Sequence, residues 1–203
     1  MNLSPLITAA ELLNIYQNPE VMIFDVSSGP DVKRNYEAAH LEGAYFIDLN
    51  SQLADIKDDA SQGGRHPLPD IRKFAETLGG LGITKDTHVV LYDDKNGSNA
   101  AARFWWMLKS AGHEKVQVLN GGLQEAVKQD FPVDGNPTPA KTPAAPYPAE
   151  EWKLPTIGLD EVEHVSQNPE YLVIDVRDKY RYDGISEPID LVAGHIPGAV
   201  NVP

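Results

Sequence analysis

Apolar residues in this chain gather in short, nearly unbroken runs, and the runs alternate with stretches of helical periodicity. Residues 21–26 are apolar except at Asp25, residues 89–92 read Val-Val-Leu-Tyr, and residues 116–119 form a similar run. A run without polar alternation predicts a strand covered on both faces, as in a parallel sheet. Residues 43–49 read as a further strand, and residues 51–67 as a long polar loop rich in Asp, Gly and Ser. Thr8 and Glu11 have the spacing of a capping box, which opens a helix carrying Leu12, Leu13 and Ile15 that Pro19 ends. Residues 71–81 have helical periodicity and close at Gly79-Gly80 or Gly82. Residues 98–111 hold Phe104, Trp105, Trp106, Met107 and Leu108 and predict a buried helix whose aromatics form core. Gly121-Gly122 marks a tight turn before another helix over residues 123–129. Strands alternating with helices predict an α/β domain with a mostly parallel central sheet.

Seven prolines then fall between Pro132 and Pro155, a density that blocks helix and ladder and predicts an extended, semi-rigid connector. Patterned sequence resumes after it. Residues 159–165 read as helix, 172–176 as strand, and 199–202 as the beginning of another. This second stretch repeats the first. Gln17-Asn18-Pro19-Glu20 returns as Gln167-Asn168-Pro169-Glu170, an offset of 150, and His40-Leu41-Glu42-Gly43-Ala44 returns as His195-Ile196-Pro197-Gly198-Ala199, an offset of 155. The expected organisation is a first domain over residues 1–131, a linker over 132–155, and the start of a second domain over 156–203.

Composition removes several function classes. A net charge of −13 argues against a nucleic-acid partner, which needs a basic surface. No run of 18 apolar residues is present, so no membrane span is expected, and the first residues lack a basic, then apolar, leader. A cytoplasmic protein is the expectation. The chain has no cysteine, which removes disulfides, thiolate metal sites and any thiol nucleophile from these 203 residues. His113-Glu114 opens like a zinc-protease helix, but the fifth position is Gln117, so neither metal nor other cofactor is expected. Asn96-Gly97-Ser98 fits a glycosylation pattern and reads as a turn. Oligomeric state leaves no mark on the sequence.

In open parallel sheets, reactive groups sit in loops beyond the carboxyl ends of strands. The most loaded such loop is residues 93–98, Asp-Asp-Lys-Asn-Gly-Ser, which feeds the aromatic helix. A loop entering a helix N-terminus aims several backbone N–H groups at one point and cradles an anion. A thiolate would be activated there, but the position holds Asp93. Asp93 and Asp94 read as helix caps before they read as chemistry. His40 and His195 open the same turn in both copies, which favours a structural hydrogen bond over catalysis. Asp25 and Asp175, at equivalent strand ends, are expected to fix loop backbone.

The repeated Asp-Val strand ends, the His-x-x-Gly-Ala turns, Ala102-Arg103-Phe104-Trp105-Trp106 and Asn120-Gly121-Gly122 resemble the first half of a tandem-domain rhodanese. Arg181-Tyr182-Asp183-Gly184, Glu187-Pro188 and Gly194-His195-Ile196-Pro197-Gly198 resemble the start of its second half. The resemblance implies a rhodanese-like three-layer fold and a thiosulfate or 3-mercaptopyruvate sulfurtransferase. In that family a cysteine of the second domain takes sulfane sulfur from a small anionic donor and passes it to a thiophilic acceptor. It also implies that the first domain is catalytically silent, with Asp93 and Asp94 in a vestigial site loop, and that Arg181 binds the donor. The competing reading of Arg181 is a solvated loop charge. Mercaptopyruvate-type members carry a second arginine after Glu-Pro; Ile189-Asp190 stand here, which favours thiosulfate. Counting from the first copy, the cysteine is expected near position 248, roughly 45 residues beyond Pro203, so the chain itself is expected to be inactive. Other readings are a non-catalytic rhodanese-like binding module and a phosphatase on the same fold, and the phosphatase too would need a cysteine.

Overall fold

Five strands form one parallel sheet in the order β1-β6-β5-β2-β4: β1 (Leu6–Ile7), β2 (Val21–Asp25), β4 (Tyr45–Phe46), β5 (His88–Tyr92) and β6 (Val116–Leu119). The computed structural model describes residues 3–203, and contacts divide the chain after Leu154 into two compact units. The sheet lies in the first. Its strands read as unbroken apolar runs because both faces are covered. Met22, Phe24, Val89 and Leu91 face a layer containing α4 (Ile71–Gly80) and α5 (Ala100–Ser110). Ile23, Val90 and Tyr92 face the opposite layer, with α1 (Ala9–Leu13) and α6 (Gly122–Lys128). The expected three-layer α/β architecture is present.

Local signals fix the helix ends. Thr8 accepts from the Glu11 N–H at 3.2 Å while Glu11 accepts from the Thr8 N–H at 2.8 Å, completing the capping box. Of the two closures open for α4, Gly82 provides it: φ is +79°, and Ile83 N–H donates to Leu78 at 3.0 Å. α5 ends the same way at Gly112, with His113 N–H donating to Leu108 at 2.9 Å.

Some elements differ from the sequence expectation. Residues 43–49 do not form one strand. β4 spans only two residues, after which Asp48 accepts from Ser51 N–H at 2.7 Å and starts α3 (Leu49–Gln52), so the polar loop begins with a helical turn. Without apolar runs to announce them, β1, α2 (Val32–Ala38) and the antiparallel pair β3 (His40–Leu41) and β7 (Val133–Asp134) escape sequence reading. The proline-rich stretch is extended, but up to Leu154 it is packed onto the first unit. Tyr147 is buried and bonds Ala75, Trp152 Nε1 donates to Pro69 at 3.3 Å, and the Trp152 ring lies 5.1 Å from Phe74.

The second unit contains α7 (Leu159–Val165), β8 (Ile174–Asp175), α8 (Lys179–Tyr182) and β9 (Val200–Asn201). Its parallel pair rebuilds the first unit's in register. Phe24 faces Tyr45 and Asp25 faces Phe46; Ile174 faces Val200 and Asp175 faces Asn201, at the same offsets of 150 and 155 as the sequence repeat. Both strands fall short of the runs 172–176 and 199–202, since among the described residues β8 pairs with β9 alone whereas β2 also pairs with β5. Burial follows. Phe24 and Val26 are fully buried, while Ile174 and Val176, their counterparts, are 50% and 73% exposed.

His113 gives the first unit a pH dependence. It is buried beneath the proline-rich strap with Nδ1 3.0 Å from the Tyr147 hydroxyl, and burial lowers its pKa to about 4. The unfolded chain binds this proton near pH 6.5, so stability is lost as pH falls from about 6.5 to 4, by on the order of 3 kcal/mol. In urea unfolding at pH 7 and pH 4, His113→Gln should reduce the difference between the two by about that amount. Parallel losses in variant and parent would refute the assignment.

Candidate functional site

The loop leaving β5 folds around Asp93. Its Oδ1 accepts from the N–H groups of Lys95 at 2.9 Å and Gly97 at 2.8 Å, and its Oδ2 from those of Asn99 and Ala101, both at 3.1 Å. The residue is 1% exposed. Four converging N–H groups at the start of α5 make an anion cradle, and the chain's own carboxylate fills it. Asn99, the N-cap residue by backbone geometry, makes no side-chain cap bond, so Asp93 caps α5 from six residues upstream. The cradle depends on close approach by the next loop. Gly122 has φ +59°, and a Cβ there would lie 2.4 Å from the Asp93 carbonyl oxygen. Asp94 points elsewhere: its carbonyl accepts from Gln124 Nε2 at 2.5 Å, and its Oδ1 is buried without a protein partner among the described residues.

Each copy then locks its strand pair with a tyrosine and a histidine. Tyr36 donates to the Ala44 carbonyl at 2.7 Å and Tyr182 to that of Ala199 at 2.6 Å. His40 and His195 donate from Nδ1 to the carbonyls of Tyr36 and Tyr182, both at 2.6 Å, and stack on those rings at 3.9 and 3.7 Å. Since a carbonyl only accepts, Nδ1 carries the proton in both. The histidines hold the turn. Asp25 and Asp175 hold the loops that follow, each accepting at 2.9 Å from the N–H two residues on.

The copies diverge in charge. Where the first has Ser27 and Asn35, the second has Arg177 and Arg181. Burial raises the pKa of Asp25 against its hydrogen bonds from Ser27, whereas the Arg177 guanidinium lowers that of Asp175. Arg177 donates from Nη2 to Asp175 at 2.6 Å and to the Gly194 carbonyl at 2.7 Å, and its Nη1 lies 3.4 Å from Glu187. Arg181 donates from Nε to both Glu187 oxygens, at 3.1 and 3.0 Å, and from Nη2 to Asp190 at 3.0 Å.

The structure therefore places Arg181, the candidate donor-binding residue, in a partly buried ion cluster in the second unit, 13% exposed at its side chain. Asp93 and Asp94 lie in the first unit. Sequence reading did not single out Glu187 and Asp190 as partners of Arg181. The available signal was the length between tyrosine and histidine, 4 residues in the first copy and 13 in the second. Those nine extra residues, less four missing before the tyrosine, make the net difference of five and carry both carboxylates.

Removing Asp93 should be costly. Asp93→Ala leaves four N–H groups without an acceptor, and Asp93→Asn turns an amide NH₂ toward two of them whichever way it is rotated. Both variants should lose on the order of 3 kcal/mol or more in urea unfolding of the first unit. An Asn variant as stable as the parent would disprove this account of the loop.

Known proteins share this fold. The rhodanese-like domain pattern matches residues 8–129 and again 159–203, so it recognises both copies. The thiosulfate sulfurtransferase of Gallus gallus is 36% identical over 180 residues, covering 85% of this chain and 58% of that protein. The 3-mercaptopyruvate sulfurtransferase of Homo sapiens is 36% identical over 182 residues, covering 86% and 58%. The chain thus spans 58% of the length of these curated relatives. Among solved structures, the 3-mercaptopyruvate sulfurtransferase from Leishmania major superposes with a TM-score of 0.84 at 26% identity, covering 98% of this chain and 54% of that one. With both copies matched and the fold shared, this chain belongs to the rhodanese-like domain family.

Proposed function

We propose that this chain is part of a sulfurtransferase that moves sulfane sulfur from thiosulfate to a thiophilic acceptor through a cysteine persulfide. The nucleophilic cysteine would lie in sequence outside these 203 residues, which contain none. One observation carries the reading. The second unit repeats the first unit's strand register and Tyr–His lock but replaces Ser27 and Asn35 with two arginines, while in the first unit Asp93 occupies the anion cradle. The relatives named above are thiosulfate and 3-mercaptopyruvate sulfurtransferases, which supports the same reaction class.

In the proposed reaction a thiolate attacks the outer sulfur of thiosulfate. The S–S bond breaks, and sulfite leaves with the bonding pair. Cyanide or a thiolate then attacks the persulfide's outer sulfur and the thiolate is restored. Arg181 contributes at the first step, because a guanidinium fork pairs with an oxyanion through two parallel donors. Thiosulfate is favoured over mercaptopyruvate because Ile189-Asp190 follow Glu187-Pro188, where mercaptopyruvate-type members carry a second arginine.

Thiocyanate formation from thiosulfate and cyanide tests this. The 203-residue chain should show none above the uncatalysed rate. The full product of its reading frame should be active, and Arg181→Ala in it should raise KM for thiosulfate about tenfold or more. Activity in the short chain, or a full product without a cysteine, would overturn the proposal.

A further inference from the structure

The two arginines of the second unit come as a pair and reach the same carboxylate. The first copy has neither, since Ser27 and Asn35 stand at the equivalent positions. Both approach Glu187, whose side chain is 3% exposed. Arg181 donates to it from Nε at 3.1 and 3.0 Å and lies 2.9 Å from it through Nη2, while Arg177 Nη1 lies 3.4 Å away. The N–H groups of Ile189 and Asp190 donate to the same Glu187 oxygen, at 3.0 and 3.1 Å.

Arg181 is therefore held along Nε and Nη2, and its Nη1 makes no hydrogen bond among the described residues. A guanidinium is planar, so fixing one edge fixes the direction in which the remaining nitrogen points. That direction depends on where Glu187 stands, and Arg177 acts on Glu187 by two routes. One is the direct contact, in a site so little exposed that solvent screens it weakly. The other runs through Gly194, whose carbonyl accepts from Arg177 Nη2 at 2.7 Å. Gly184 and Gly194 form the neck of the insertion that carries Glu187, where a Cβ on Gly184 would lie 3.6 Å from Gly194 Cα. Arg177 also grips Asp175 at the end of β8, from Nε at 3.0 Å and from Nη2 at 2.6 Å, and so ties the insertion to the strand. All three of its nitrogens have partners within the chain. Such a group braces a site and is not itself offered to a ligand.

Resting on the reading of Arg181 as donor-binding, we propose that Arg177 is a positioning residue. Through Glu187 and Gly194 it sets the orientation of the Arg181 guanidinium toward an anionic sulfur donor. The two arginines that separate the second copy from the first are then one change in two parts: one binds and the other braces.

The test is steady-state kinetics of the full product of the reading frame, with thiosulfate and cyanide each varied. In a ping-pong scheme kcat/KM for thiosulfate reports the donor half-reaction, and kcat/KM for cyanide the acceptor half. Arg177→Met should lower the thiosulfate value about tenfold and leave the cyanide value within about twofold of the parent. Arg177→Lys, which keeps the charge but not the planar fork, should fall between the two and decides the matter if the Met variant does not fold. Glu187→Gln should reproduce the Arg177→Met pattern. In an Arg181→Ala background none of these substitutions should have a further effect, because residues acting through one another are not additive. Arg177 variants that match the parent, lower both values together, or lower the thiosulfate value equally with and without Arg181 would each refute the proposal while donor binding at Arg181 survives. If Arg181→Ala alone leaves the thiosulfate value unchanged, the reading of Arg181 falls and the positioning role with it.

Discussion

A central strand of a parallel sheet is covered on both faces and paired along both edges, and most of what distinguishes the two units follows from how far that condition is met. In the first unit β2 lies between β4 and β5, with α4 and α5 on one side and α1 and α6 on the other. Every side chain from Met22 to Val26 is then buried. In the second unit β8 pairs only with β9 among the described residues, and the same kinds of side chain remain in solvent. The same local sequence gives the same register in both places. Full strand length and burial come from neighbours.

What persists without those neighbours is the short-range part. Tyrosine to alanine carbonyl, histidine to tyrosine carbonyl, and aspartate to the N–H two residues ahead recur with distances within 0.1 Å of each other. These bonds close short loops and need no sheet around them, so a small unit can keep them. Divergence lies in the two arginines that precede the second tyrosine and in what the turn after it carries. The first copy turns directly from Tyr36 to His40; the second extends the turn into a closed loop bearing acids against two arginines. Duplication has kept the frame and changed the electrostatics.

The Asp93 loop shows the complementary case. Its backbone has the form that would hold an anion, and a carboxylate within the loop satisfies it. An occupied cradle stabilises the start of α5 but offers nothing to a ligand. Capping is the role this geometry gives Asp93: the four N–H groups that converge on its carboxylate are satisfied within the chain and stabilise the start of the helix.

The sequence alone determined the α/β class, the parallel central sheet, the capping box at Thr8, the buried aromatic helix and the repeat with its two offsets. Each is written in local periodicity or in residue types that act over a few positions. It also placed Asp93 at a helix-entry loop and Arg181 beside the tyrosine of the second turn. Only the tertiary structure revealed β1, β3 and β7, two-residue strands that exist because a neighbouring strand supplies their partners, and the end of residues 43–49 as a strand at Asp48. Only it showed the proline-rich stretch lying on α4 and α5, and Arg181 held between Glu187 and Asp190. Long-range partners leave no periodic trace in a sequence, because their spacing is set by how the chain returns in space. Local bonds can be read residue by residue, whereas packing and ion pairing are decided by which segments meet.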